Sequence, residues 1–183
     1  MKTESTVKFV LRLALTLFAI TAVVAGCLAG VNAITEPRIA ALNEEKTQAA
    51  IEAVLPGGGT LAGTWSDSTG FVSKVYESDT GYAVEVKPNG FDNTITMMVG
   101  VDKAGKVLGI SVISHTETAG LGATCAAKTA AGEAFRDQFA GMSGQVAVTK
   151  DGGSVDAITG ATITSRAVCA GVNAALECVA NMG

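Results

Sequence analysis

A nearly unbroken apolar run lies near the start of the chain, from Leu13 to Ala33. It has about the 20 residues a helix needs to cross a bilayer. Lys2, Lys8 and Arg12 precede it, and Glu36 and Arg38 follow. That charge order predicts a cytoplasmic N-terminus and a globular part on the far side. A cleaved signal peptide has the same order, and Val24-Ala25-Gly26-Cys27 fits a bacterial lipoprotein cleavage box. The apolar run continues past Cys27 through Leu28, Ala29, Val31 and Ala33, which a cleavage site does not need. A retained anchor over residues 1–34 is therefore expected.

Thr35-Glu36-Pro37-Arg38 reads as a fresh helix start, with Thr35 as cap and Pro37 where a missing N–H costs nothing. Ile39, Leu42, Ala50, Ile51, Val54 and Leu55 mark the apolar side, and Pro56-Gly57-Gly58-Gly59 ends it. Residues 35–60 then form a juxtamembrane helix and linker ahead of one domain over 61–183. Two hairpins are predicted there, Phe71 to Glu77 with Tyr82 to Lys87, and Thr94 to Val101 with Lys106 to Ser114. Ile95, Met97 and Val99 alternate, as do Leu108, Ile110 and Val112, so each strand is expected to bury one face. A helix from about Ala126 to Phe139, a short strand from Gln145 to Thr149 and a final helix from Ser165 complete the pattern. Val168, Val172, Ala175, Leu176 and Val179 recur in that last helix at helical spacing. Grouped strands and helices predict an α+β class rather than a doubly wound parallel sheet.

Composition narrows the function. Charged residues make up 16% of the 183 residues, against about 25% in a soluble domain; the apolar N-terminal segment explains most of the deficit. A net charge of -4 argues against nucleic acid, which favours a basic face. The four cysteines form no Cys-x-x-Cys pair and His115 is the single histidine, so no zinc or iron–sulfur ligand set is expected. A disulfide from Cys125 to Cys169 or Cys178 is left open.

Two segments carry candidate chemistry. Asp156-Ala157-Ile158-Thr159-Gly160-Ala161-Thr162-Ile163-Thr164-Ser165 is a hydroxyl-rich, small-residue turn opening the last helix. Such a helix start favours a phosphate, and Gly160 and Ala161 allow close approach to the backbone. The plain alternative is that Thr164 or Ser165 only caps the helix. The second segment is His115-Thr116-Glu117-Thr118-Ala119-Gly120-Leu121-Gly122, a strand exit with two glycines. It is not a dinucleotide fingerprint: Cys125 stands where the third glycine belongs, and the strands before it look antiparallel. An isolated His at a strand end is usually structural, and Trp65 and Met97-Met98 read as packing.

The first segment resembles the Asp-x-x-Ser/Thr-Gly-Ala-Thr flavin-attachment motif of membrane-bound FMN-binding domains. These occur in the G subunit of the Rnf ion-translocating oxidoreductase and in the C subunit of the sodium-pumping NADH:quinone reductase. The second resembles that family's His-x-Glu-Thr-Pro-Gly-Leu-Gly loop, with Ala119 in place of proline. The likeness spans anchor, strand body and both loops, and the Rnf G subunit fits better because its relative is usually longer. It implies FMN held covalently by a phosphoester to Thr162, with Thr159, Gly160, Ala161 and Ser165 around it. It also implies Glu117, Thr118, Leu121 and Gly122 on the isoalloxazine side, where the Glu117 carboxylate would lower the flavin potential.

The implied role is an electron-carrying component of a ferredoxin:NAD oxidoreductase complex that transports Na⁺ or H⁺. No complete active site or catalytic residue is expected on this chain alone. The implied partners are the other Rnf subunits, membrane lipid and a flavin transferase using FAD and Mg²⁺. The domain would be single-pass and extracytoplasmic in the plasma or inner membrane. A stand-alone membrane-anchored flavoprotein reductase and a non-redox lipoprotein or binding module remain as alternatives.

Overall fold

The structure, a computed structural model, describes residues 6–63, 65 and 68–182. Lys2 and Gly183 lie outside the described residues. The chain divides into two compact units at Glu44/Glu45.

The first unit belongs to a single helix, α1, which runs from Thr6 to Val54. An 18-residue window in it, with mean hydropathy 2.3 and no residue buried, is long and apolar enough to cross a membrane. Its hydroxyls are neutralised locally: Thr16 Oγ1 donates to the Leu13 carbonyl and Thr21 Oγ1 to Leu17 and Phe18. Such internal pairing suits a helix surrounded by hydrocarbon. The expected restart at Thr35 is not present. Thr35 Oγ1 donates to the carbonyl of Val31 at 3.0 Å, four residues back, and Pro37 lies inside the helix. Proline there removes one intrahelical N–H, and the turns on either side carry the helix across the gap.

The second unit is an α+β domain built on an antiparallel sheet. Its strands, in order across the sheet, are β1 (Thr60–Gly63), β2 (Val72–Glu77), β3 (Gly81–Val86), β4 (Thr96–Asp102) and β5 (Val107–Ser114). Every strand pairs with its neighbour in sequence. Local turn chemistry sets the β4–β5 hairpin: Asp102 Oδ1 accepts the N–H groups of Ala104 and Lys106, an Asx-type turn. β1 was not foreseen, since Thr60-Leu61-Ala62-Gly63 is too short and exposed to show a pattern.

The middle strands β3 and β4 are covered on both faces, contrary to the expectation that each strand buries one face, while β5 keeps a partly open face with Leu108 exposed. Val84, Val86, Met97, Val99 and Val101 pack in the main core beneath the last helix, α3 (Thr162–Ala180). Ala83 and Met98 point the other way, into a cluster with Ala50, Ile51, Val54 and Leu55 at the end of α1. At Gly100 the approach is so close that a Cβ would overlap the Val54 carbonyl. Met97 and Met98 are therefore both core residues, on opposite faces.

The segment between β5 and α3 differs most from the sequence pattern. Instead of one helix from Ala126, a 3-10 turn spans Gly122–Ala126 and α2 spans Ala130–Asp137, capped by Thr129 Oγ1 on the Gly132 N–H. Arg136 Nη1 donates to the Cys125 and Ala127 carbonyls, which holds the break between them. Gln145 to Thr149 does not form a sheet strand. Both backbone groups of Val146 are taken by the Asn173 side chain, each at 2.8 Å, leaving a single parallel bridge, Val148 to Val155.

Candidate functional site

The turn before α3 is pinned from two directions. Gln138, just past α2, accepts the Asp156 N–H at 2.7 Å and donates to the Asp156 carbonyl at 3.3 Å. Ser165 is fully buried; its hydroxyl accepts the Ile158 N–H and donates to the Ala161 carbonyl, both at 3.0 Å. Gly160 takes φ +76°, open to glycine and strained for other residues, and a Cβ there would stand 3.0 Å from Leu121. This contact joins the turn to the loop that leaves β5.

The N-cap of α3 is Ala161, with no side-chain capping bond. Neither Thr164 nor Ser165 serves as the cap. The N–H groups of the first turn thus precede any intrahelical carbonyl they could use, and the helix dipole adds positive potential. A 3-10 turn, Thr149–Asp151, brings Lys150 alongside, its Nζ 3.4 Å from Thr162 Oγ1. The turn that carries this lysine is tied to α3 by its next residue: Arg166 binds both Asp151 oxygens at 2.7 Å. The Arg166 hydrogen bond holds the Asp151 carboxyl below its usual range, so the pair stays ionised at neutral pH.

A cavity of about 310 Å³ opens over this helix start. Its lining joins both loops, with Glu117, Thr118, Leu121 and Gly122 from one and Gly160, Ala161 and Thr162 from the other. Phe91, Lys150, Ile163 and Thr164 complete it. Phe91 is 65% exposed and Leu121 43%, which leaves apolar surface in the lining open to solvent. The sequence pattern did not single out Phe91 or Lys150. Phe91 is far in sequence from both motifs and Lys150 lies outside the second, and an isolated aromatic or lysine in a loop carries no pattern.

Two residues expected in the site stand apart from the cavity lining. Ser165 is committed to its turn, and Thr159 faces a neighbouring open depression beside Gly120, Gln138 and Asp156. Glu117 lines the cavity, yet its carboxylate is engaged by protein donors. Oε1 accepts the Phe91 and Asp92 N–H groups, and Oε2 accepts the Thr164 hydroxyl. His115 is not among the lining residues, and its Nδ1 is buried with no partner among the described residues.

The three thiols of the domain supply no competing nucleophile. Cys125, Cys169 and Cys178 are buried, and no disulfide forms among the described residues. Burial, then the charge of Glu117, raises the Cys125 thiol to about 11. Burial, then Asp151, does the same for Cys169. Both therefore stay protonated near neutral pH.

The cavity suits a flavin mononucleotide. Its lining offers a cation, backbone N–H groups at a helix start and small residues for a phosphate, and apolar side chains for a flat ring. Known proteins point the same way. Residues 90–177 match an FMN-binding domain family, and residues 1–54 match the RnfG N-terminal region. The G subunit of the Na⁺-translocating ferredoxin:NAD⁺ oxidoreductase complex of Acetobacterium woodii is 30% identical, across 96% of this chain and 94% of the relative. The G subunit of an ion-translocating oxidoreductase complex from Pseudomonas aeruginosa is 32% identical, across 90% and 85%. The G subunit of the proton-translocating ferredoxin:NAD⁺ oxidoreductase complex of Clostridium ljungdahlii is 40% identical, across 52% and 51%.

Proposed function

Because the chain belongs to the RnfG family of ion-translocating oxidoreductase complexes, we propose that Thr162 carries covalent FMN and that the domain passes electrons within such a complex. The observation that carries this reading is the convergence on Thr162 Oγ1. Lys150 Nζ and the uncapped start of α3 meet there, in the lining of one cavity with Phe91, Leu121 and Ile163. FMN, when bound, supplies one- and two-electron redox chemistry, and the protein supplies attachment, orientation and tuning of potential. Lys150 would hold the phosphoryl group, and Phe91, Leu121 and Ile163 would border the ring. The match to an FMN-binding domain speaks against a non-redox lipoprotein.

Attachment is a single modification. The Thr162 oxygen attacks the FMN-side phosphorus of FAD, the pyrophosphate bond breaks, AMP leaves and the hydroxyl proton is released. A flavin transferase with Mg²⁺ would perform it. Intact mass of the chain made with a transferase is expected to rise by one FMN less one water. A mass equal to the bare polypeptide would overturn the reading.

The partners proposed are the other subunits of the complex, which in the Acetobacterium and Clostridium relatives is a ferredoxin:NAD⁺ oxidoreductase. The apolar stretch of α1 anchors the chain in a membrane. We place the flavin domain outside the cytoplasm, on the basis of Lys8 and Arg12 preceding the apolar run. Protease added to intact spheroplasts is expected to digest the domain, and protection until lysis would reverse that orientation.

A further inference from the structure

Glu117 is only 7% exposed, and its carboxylate joins three pieces of chain that are far apart in sequence. Oε1 accepts the N–H of Phe91 at 2.8 Å and of Asp92 at 3.3 Å, in the turn between β3 and β4. Oε2 accepts the hydroxyl of Thr164, which is 1% exposed in the first turn of α3. A buried carboxylate is costly unless donors meet it, and bonds to an ionised acceptor are the stronger and more directional kind. Here three donors meet it.

Two glycines make room for this arrangement. A Cβ on Gly90 would overlap Glu117 Oε1, and one on Gly122 would lie 2.5 Å from both Glu117 Oε2 and Thr164 Oγ1. The exposed ring of Phe91 is thus carried by a backbone whose amide is fastened, through Glu117, to the helix that bears Thr162. The Thr164 hydrogen is committed to Glu117, which distinguishes this hydroxyl from the one two residues earlier, where Lys150 is the partner.

We infer that Glu117 and Thr164 are positioning residues, which fix the Phe91 wall of the cavity to α3 and so set how closely the bound flavin is covered, without taking part in its attachment. The inference rests on the reading of the cavity as the flavin site. It gives Glu117 a mechanical role beside the electrostatic one expected from its place in the cavity lining.

The test uses the full chain in detergent, made with and without a flavin transferase, as wild type, Thr164→Val, Thr164→Ser and Gly90→Ala. Thr164→Val keeps the shape and removes the donor, Thr164→Ser restores it, and Gly90→Ala crowds Oε1 from the opposite side. Without flavin, hydrogen exchange of the peptide holding Phe91 and Asp92 is expected to quicken several-fold in Thr164→Val and Gly90→Ala. Thr164→Ser is expected to exchange at the wild-type rate. With flavin, Thr164→Val is expected to retain covalent FMN and to show a several-fold larger iodide quenching constant, again restored by serine. Gly90→Ala also presses on the Asn93 carbonyl of its own turn, so if Thr164→Val does not fold, Thr164→Ala, which likewise removes the donor, decides. Unchanged exchange and quenching in the variants would overturn the inference. So would loss of covalent flavin in Thr164→Val but not in Thr164→Ser, which would make Thr164 part of attachment. A wild type that takes up no flavin would defeat the flavin reading alone, since the exchange measurements report on the clamp without it.

Discussion

Thr162→Ala is expected to leave the chain folded and wholly without covalent flavin. The side chain is a half-buried hydroxyl that meets Lys150 Nζ at 3.4 Å. The helix does not use it as a cap, because Ala161 occupies that position. Its removal therefore costs at most about 1 kcal/mol of stability, while no neighbouring hydroxyl can replace it as acceptor. Ser165 Oγ is fully buried between Ile158 and Ala161, Thr164 Oγ1 is held by Glu117, and Thr159 faces the neighbouring depression. Fluorescence of the denatured band in a gel is the measurement, with circular dichroism as the folding control. Thr159→Ser is expected to keep full fluorescence. A fluorescent Thr162→Ala band would move the attachment elsewhere and remove the basis of the proposed function.

The largest stability effect is expected at Phe139. It is fully buried in the main core and meets Phe135 edge-on, with ring centroids 5.5 Å apart at 79°. Phe139→Ala removes a whole aromatic ring and is expected to cost about 3–5 kcal/mol. A typical domain has only about 5–15 kcal/mol to lose. Urea denaturation of the detergent-solubilised chain is expected to show a much lower midpoint with an unchanged slope. The same loosening would reach the site, because the adjacent Gln138 grips both backbone groups of Asp156. A midpoint within experimental error of wild type would mean that the Phe139 ring is not integral to this core.

Periodic signals were legible in the sequence, and tertiary ones were not. β2 to β5 and α3 follow the apolar spacing to within a few residues, because burial on a regular element leaves a regular mark. The Thr35 restart failed because capping residues are only a local preference, and the helix continued through Pro37 regardless. The strand expected at Gln145 lost to a side chain, Asn173, that occupies the backbone groups of Val146 from 27 residues away. The site divides in the same manner. Both motif loops line one cavity, and the two additions, Phe91 and Lys150, arrive through the β3–β4 turn and the short 3-10 turn. The direction of the Glu117 carboxylate was not legible either, since its donors come from 25, 26 and 47 residues away.

The order of strands across the sheet bears on how such a protein can be made. Because β1 to β5 pair only with sequence neighbours, the sheet can assemble hairpin by hairpin as the chain emerges, with each closure spanning a short loop. The helix that starts at Thr162 follows every strand and seals one face of a sheet already in place. The Thr162 hydroxyl meets Lys150 and the apolar walls only after that sealing. If Thr162 carries the flavin as proposed, maturation would have a built-in sequence: polypeptide first, prosthetic group last, with an incompletely folded chain offering the modifying enzyme an unfinished pocket.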